Sequence, residues 1–168
     1  MFREDGVRFF QPPHLKVRRN FAPNKKTSFP MPCTLMVTEG VLPVGSEKTA
    51  IARITESMLK WHGLTGNKVM LPNVTAQVHV LPRATTFSGG KEIAGAWVEW
   101  KVPSFAFTDR KAQIGFFDDT TTTIHSLAEG RISRENIYIN VVHTLDGAWN
   151  FNGRAVTNSE FKEAISGG

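Results

Sequence analysis

The residue in this chain whose type and position could do chemistry most directly is a proline. Pro32 follows Met31 at the head of a short apolar run, CTLMVT, from Cys33 to Thr38. If translation begins at Met31, the initiator methionine precedes a small residue of the kind aminopeptidases uncover, and Pro32 is left with a free secondary amine. A free α-amino group titrates near ~7.7–8.0, and an apolar pocket disfavours its charged form and lowers that value. A neutral secondary amine held on a rigid strand is a general base. The other reactive side chains form no comparable constellation. Cys33 is the lone cysteine and reads as a buried strand residue, so neither an internal disulfide nor a multi-cysteine zinc site is available. His79, His125 and His143 have no carboxylate or cysteine at ligand spacing, and no metal or other cofactor is expected. Gly89-Gly90 lacks dinucleotide or P-loop spacing and reads as a turn. Asn73-Val74-Thr75 matches the glycosylation pattern, which is idle without a secretory signal.

Two similar halves must position these residues. The run from Cys33 to Thr38 is a strand, ended by Glu39-Gly40 and Pro43. Ser46 is a helix cap, and Ala50, Ile51, Ile54, Met58 and Leu59 recur at helical spacing until Gly63, which predicts a helix over 46–62. Asn73 to Val80 alternates, with Val74, Ala76, Val78 and Val80 on one face, and closes at Pro82. The plan then repeats: a strand from Ile93 to Val102, a helix opened by Thr108 and Asp109 carrying Ile114, Phe117, Thr121, Ile124 and Ala128 and stopped by Gly130, and a strand from Asn136 to Val142. Each strand–helix–strand set is a βαβ unit with parallel strands. The expected fold class is α+β: two consecutive βαβ units forming a four-stranded sheet with both helices on one face. The other face carries Trp97 and Tyr138 and is expected to meet a neighbouring subunit. The aromatic loop DGAWNFNG and a helix begun near Thr157-Asn158 read as a C-terminal clasp over a neighbouring surface, with Trp149 and Phe151 against a partner strand. The run Thr120 to Thr123 is an unusual choice inside a helix.

The 168 residues fit one domain, and 40% hydrophobic content suits a globular core rather than a disordered chain. The net charge of +5 is not spread evenly. Residues 1–30 hold seven basic side chains against Glu4 and Asp5, so the remainder is neutral, with 13 basic and 13 acidic groups. That segment also carries Pro12, Pro13, Pro23 and Pro30 and no sustained period. Residues 1–31 are therefore expected to be a basic leader, extended or disordered, ahead of a single domain over 32–168 whose tail begins at about 146. With the charge confined to the leader, nucleic acid is not an expected partner of the domain. No run approaches a membrane span, and a soluble, cytoplasmic protein without a membrane partner is expected.

Met31-Pro32 opening an apolar strand, followed by two βαβ units, resembles the tautomerase superfamily of 4-oxalocrotonate tautomerase. The segments Trp61-His62-Gly63-Leu64-Thr65-Gly66, Phe87-Ser88-Gly89-Gly90-Lys91 and Trp149-Asn150-Phe151-Asn152-Gly153-Arg154 are most similar to its fused, double-length branch. That branch includes cis-3-chloroacrylic acid dehalogenase and fungal oxalocrotonate tautomerase relatives. The resemblance spans about Met31 to Arg154. It implies a homotrimer with active sites at subunit edges, an amino-terminal proline as the catalytic group, and small carboxylic acids, 2-oxo or unsaturated, as substrates. Pro32 matches the catalytic proline, and His62 matches the histidine that helps hold substrate or water in the dehalogenase.

The match is partial. Where the dehalogenase has two arginines after its third strand, this chain has Pro103-Ser104-Phe105-Ala106-Phe107. Its late acidic residue aligns with Asn150-Phe151, and its tyrosine on the fourth strand aligns with Asn140, with Tyr138 two residues earlier. Water activation needs a base that the chain does not supply there, so hydrolytic dehalogenation ranks below tautomerisation. Tautomerisation needs only a base and a cation or donor for an enolate oxygen. Catalytic Pro32 and His62, with Lys91, Lys101, Arg110, Tyr138 and Asn150 as candidate substrate-binding groups, make up the expected site. The leading reading is thus a tautomerase-like isomerase, with dehalogenase- or hydratase-like side activity. The alternative is a catalytically silent trimeric scaffold of the same fold.

Overall fold

The computed structural model describes residues 30–151 and 153–166. The expected leader lies outside the described residues up to position 29. Strand β1 (Met31–Thr38) starts two residues earlier than the apolar run suggested and includes Met31 itself. Helix α1 (Glu47–Trp61) follows, then β2 (Val74–Leu81), a hairpin of β3 (Phe87–Ser88) and β4 (Lys91–Glu92), and β5 (Ala96–Pro103). Helix α2 (Arg110–Ala128) and β6 (Ile137–Thr144) complete the second unit; β7 (Trp149–Phe151), β8 (Arg154–Val156) and α3 (Asn158–Ser166) form the tail.

The main sheet has the order β2-β1-β5-β6. Strands β1 and β2 are parallel, β5 and β6 are parallel, and the two units meet along an antiparallel β1–β5 seam. The alternation expected of half-buried strands is visible on the central pair. Met31, Cys33, Leu35 and Val37 on β1 and Ala96, Val98, Trp100 and Val102 on β5 are buried towards the helices. Pro32, Thr34 and Met36, with Trp97 and Glu99, are partly exposed on the opposite face. Both helices therefore cover one face, and the other is open. The rings of Trp97 and Tyr138 stack there at 5.5 Å.

Several boundaries differ from the sequence-based expectation. The strand predicted from Ile93 begins at Ala96, because Lys91–Glu92 pairs with Phe87–Ser88 across the Gly89-Gly90 turn. Both glycines have positive φ, 55° and 78°, as a two-residue hairpin loop requires. Gly95 then crosses tightly onto the sheet: its N–H donates to Thr38 Oγ1 at 3.0 Å, and a Cβ there would lie 2.9 Å from the Asn136 carbonyl oxygen. Ser46 does not cap α1 with its side chain. It already has helical backbone angles, and its hydroxyl donates to the Pro43 carbonyl at 2.7 Å. Asp109 does cap α2, accepting from the Ala112 N–H at 2.8 Å. The left-handed residue that ends α2 is Glu129, φ 51°, one position ahead of Gly130.

The buried row of α2 is Ala112, Phe116, Thr120, Ile124 and Ala128, so the expected stripe through Ile114, Phe117 and Thr121 is rotated, and Ile114 is 57% exposed. The cause is α1. Trp61 lies directly over Gly115, where a Cβ would come within 2.0 Å of the indole ring. The ring is fixed by Asp119, whose Oδ2 accepts from Trp61 Nε1 at 2.8 Å, Lys60 Nζ at 2.9 Å and Ser57 Oγ at 3.1 Å. Partial burial pushes the Asp119 carboxyl up, but these donors outweigh it and hold the group below its ordinary value.

The threonines of α2 differ in what their hydroxyls bond to. Thr121 donates back to the Phe117 carbonyl at 2.7 Å and Thr122 accepts from Arg134, whereas Thr120 is fully buried with no partner for its hydroxyl. An unsatisfied buried hydroxyl is costly, and valine has the same shape. Thr120→Val is expected to raise stability by about 1 kcal/mol, measured as a higher urea midpoint with an unchanged slope.

The tail packs on its own chain. Phe161 of α3 is buried between Trp149, at 6.3 Å, and Phe105, at 5.6 Å. The clasp thus closes over the loop after β5 of the same chain, because that loop offers an aromatic surface. No described helix is long and apolar enough to cross a membrane.

Candidate active site

The topology brings one end of the sheet together from five elements. Strands β1 and β2 begin there, α1 ends there, and β5 and β6 finish there because they run against β1. Pro32 stands at this end, half-buried on the open face, with Thr75 opposite it on β2. A proline at the start of a strand removes only one ladder donor. On its other side the seam pairs Cys33 with Trp100, so Lys101 is the β5 residue beside Pro32 and shares the open face with it. Lys101 is exposed, with its Nζ 3.4 Å from Glu99 Oε1. Cys33 points the other way, and burial pushes its thiol up to about 12, which leaves it protonated and inert.

His62 follows the last turn of α1. Its Nδ1 lies 2.9 Å from the Met58 carbonyl oxygen, and its Nε2 accepts from the Phe107 N–H at 3.2 Å. Only the neutral Nδ1–H tautomer satisfies both bonds. Burial lowers its proton affinity, against the opposing pull of the Met58 carbonyl. Phe107 stands edge-on to the imidazole at 4.2 Å and holds a left-handed backbone, φ 53°. Such backbone persists only where the surroundings fix it; here His62 binds its N–H and Gln113 Nε2 donates to its carbonyl at 2.6 Å.

This has a pH consequence. The unfolded histidine titrates near ~6.5 and the folded one lower, so the unfolded state takes up the proton first. The stabilisation from His62 is complete above about pH 6.5 and declines as pH falls through that value towards the folded one. Urea midpoints are expected to fall between about pH 7 and 5 in the parent chain, and His62→Gln is expected to flatten that slope.

Arg110 begins α2 and donates to Gln113 Oε1 at 3.1 Å. With Gln113, Phe107, Phe117, Ile139 and His143 it borders a groove of about 500 Å³ between α2 and the edge strand β6. His143 is anchored there by Nε2, 2.8 Å from the Ala106 carbonyl oxygen. The remaining sequence candidates are placed elsewhere. Tyr138 pairs with Trp97, which pairs with Met36, four residues along β1 from Pro32; that is about 13 Å of strand. Lys91 is at the same far end, because its hairpin is tied to Thr38 by the bond from Thr38 Oγ1 to Thr86 Oγ1 at 3.1 Å. Asn150 is exposed on β7, and its side-chain oxygen accepts from the Gly153 N–H at 3.1 Å. Within one chain, then, Pro32 and Lys101 lie together on the open face, His62 and Arg110 lie at the same end of the sheet on the helix side, and Lys91 and Tyr138 are at the far end. Sequence reasoning missed Gln113 and Phe107, whose link to His62 spans 45 residues.

Solved structures with this arrangement of strands and helices decide the fold. A fused 4-OT forming an asymmetric trimer matches with a TM-score of 0.62 at 11% identity, over 77% of this chain and 98% of its own. Pt0534 inactivated by 2-oxo-3-pentynoate matches at 0.62 and 13% identity, over 77% of this chain and 98% of that one. A member of the cis-3-chloroacrylic acid dehalogenase family matches at 0.59 and 11% identity, over 81% and 99%. The chain has the tautomerase fold. No family model and no curated protein matches it. In the tautomerase fold of this chain the central position at the head of the first unit is occupied by Pro32, and the corresponding position of the second unit by Trp97.

Proposed function

We propose that this chain is a tautomerase-like isomerase that moves a proton between carbon and oxygen of a small 2-oxo or unsaturated carboxylic acid, with the Pro32 amine as the base. The observation that carries the reading is the position of Pro32: first outward-facing residue of a central strand, beside the Lys101 cation and at the end of the sheet where His62 and Arg110 also lie. A free amine there takes the proton from the carbon next to the 2-oxo group and, once protonated, returns it to the enolate oxygen, which restores the free base. Lys101 is the group placed to offset negative charge on the enolate oxygen; Arg110 borders the groove on the helix side of the sheet, away from the face that carries Pro32. His62 acts as a positioning residue, because both its nitrogens are bonded within the chain. Lys91, Tyr138 and Asn150 enter only if a neighbouring copy supplies them, and a homotrimer is the assembly that the trimeric relatives support.

A second reading is a silent scaffold of the same fold. It draws on one observation: Met31 is built into β1 ahead of Pro32, and an amide nitrogen is no base. Phenylenolpyruvate ketonisation by the full chain and by a chain that begins at Pro32 separates the two. Turnover that appears with the free amine supports the enzyme; equal background rates from both support the scaffold.

A further inference from the structure

The site's state is decided by one bond, and that bond is inside the sheet. Met31 is 4% exposed and belongs to the hydrophobic core. It pairs with Val74, and the next pair is Pro32 with Thr75. Strand β1 has neighbours on both sides, β2 along its whole length and β5 from Cys33 onward. A peptidase needs its substrate as an extended strand lifted clear of other contacts. Lifting Met31 and Pro32 withdraws a core side chain and breaks their pairing with Val74 and Thr75 on β2.

We propose that folding seals the Met31–Pro32 bond, so that a chain folded with Met31 attached is permanently latent and the amine can be made only before β1 forms. The inference rests on the tautomerase reading for its meaning, but not for its test. Release is a hydrolysis: the bond from the Met31 carbonyl carbon to the Pro32 nitrogen breaks, and water supplies hydroxyl to the carbon and a proton to the nitrogen. Start-site choice at Met31, with removal of the initiator as the chain emerges, meets this timing; trimming of the finished protein does not. Two populations that do not interconvert are the consequence, with their ratio fixed during synthesis.

The test uses a chain that begins at Met31, the product of that start site, with an aminopeptidase that removes only a residue preceding a proline. The product's first residue is read by intact mass. Native protein is expected to retain Met31, while the same chain unfolded in urea, or loosened by Leu35→Ala in the centre of β1, is trimmed to a Pro32 start about a thousandfold faster or more. A Pro32 start from native protein at the unfolded rate would overturn the proposal. The readout is mass, so it is independent of turnover: an inactive Pro32-first chain would remove the tautomerase reading and leave the sealed bond standing.

Discussion

A chain that begins at Pro32 is expected to ketonise phenylenolpyruvate about 10²- to 10⁴-fold faster than the full chain, the range a positioned general base supplies. In the full chain the Pro32 nitrogen is an amide with no basic lone pair, and no other described residue at that end is a ready substitute. His62 has both nitrogens engaged, and the Cys33 thiol is pushed up to about 12 by burial. Pro32→Ala sharpens the result, since in the Pro32-first chain it replaces a secondary amine by a primary one on a looser backbone. A reduced rate is expected there and no change in the full chain. Lys101→Ala in the Pro32-first chain is expected to lower kcat, because its charge matters most when the enolate forms. Identical rates for full-length and Pro32-first proteins would end the proline mechanism.

Gly115→Ala is expected to cost about 2–4 kcal/mol and about 5–10 °C in Tm. In an ordinary helix interior the same change stabilises by about 0.5–1 kcal/mol, so the sign itself is diagnostic. A Cβ at this position would meet three atoms of the Trp61 ring at 2.0–2.3 Å. The ring has little room to yield, because Asp119 accepts its N–H and the Lys60 ammonium lies 4.8 Å from its centroid. Trp61→Leu in the Gly115→Ala background should recover much of the loss, and the pair should be strongly non-additive. An unchanged or raised Tm for Gly115→Ala alone would mean that the two helices pack less closely than described.

The same contact explains what could be read in the chain and what could not. The two βαβ units, the Asp109 cap, the Gly89-Gly90 turn and the open face with Trp97 and Tyr138 all follow from local spacing, and the structure has them. The rotation of α2 does not, because it is set by Trp61, more than fifty positions away from Gly115 in sequence. Ser46 was misleading for a related reason: a hydroxyl can serve a helix or the turn before it, and here the Pro43 carbonyl takes it. The candidate site was legible in its types and not in its grouping. Nothing in the spacing says that the units meet along an antiparallel seam, and this seam puts Lys101 next to Pro32 while sending Lys91 and Tyr138 to the other end.

The paired registers of the two units make the two ends of the sheet chemically unlike. Met31 and Pro32 face Val74 and Thr75 in the first unit, and Ala96 and Trp97 face Ile137 and Tyr138 in the second. The place held by a proline in one half is held in the other by an aromatic ring stacked on its neighbour, reached through a glycine with no room for a side chain. The second strand is thus reached from within the chain through a tight crossing, and its outward position is filled by stacked rings. The two ends of the sheet therefore differ: one carries the small ring of Pro32 beside Lys101, the other is plugged by Trp97 and Tyr138.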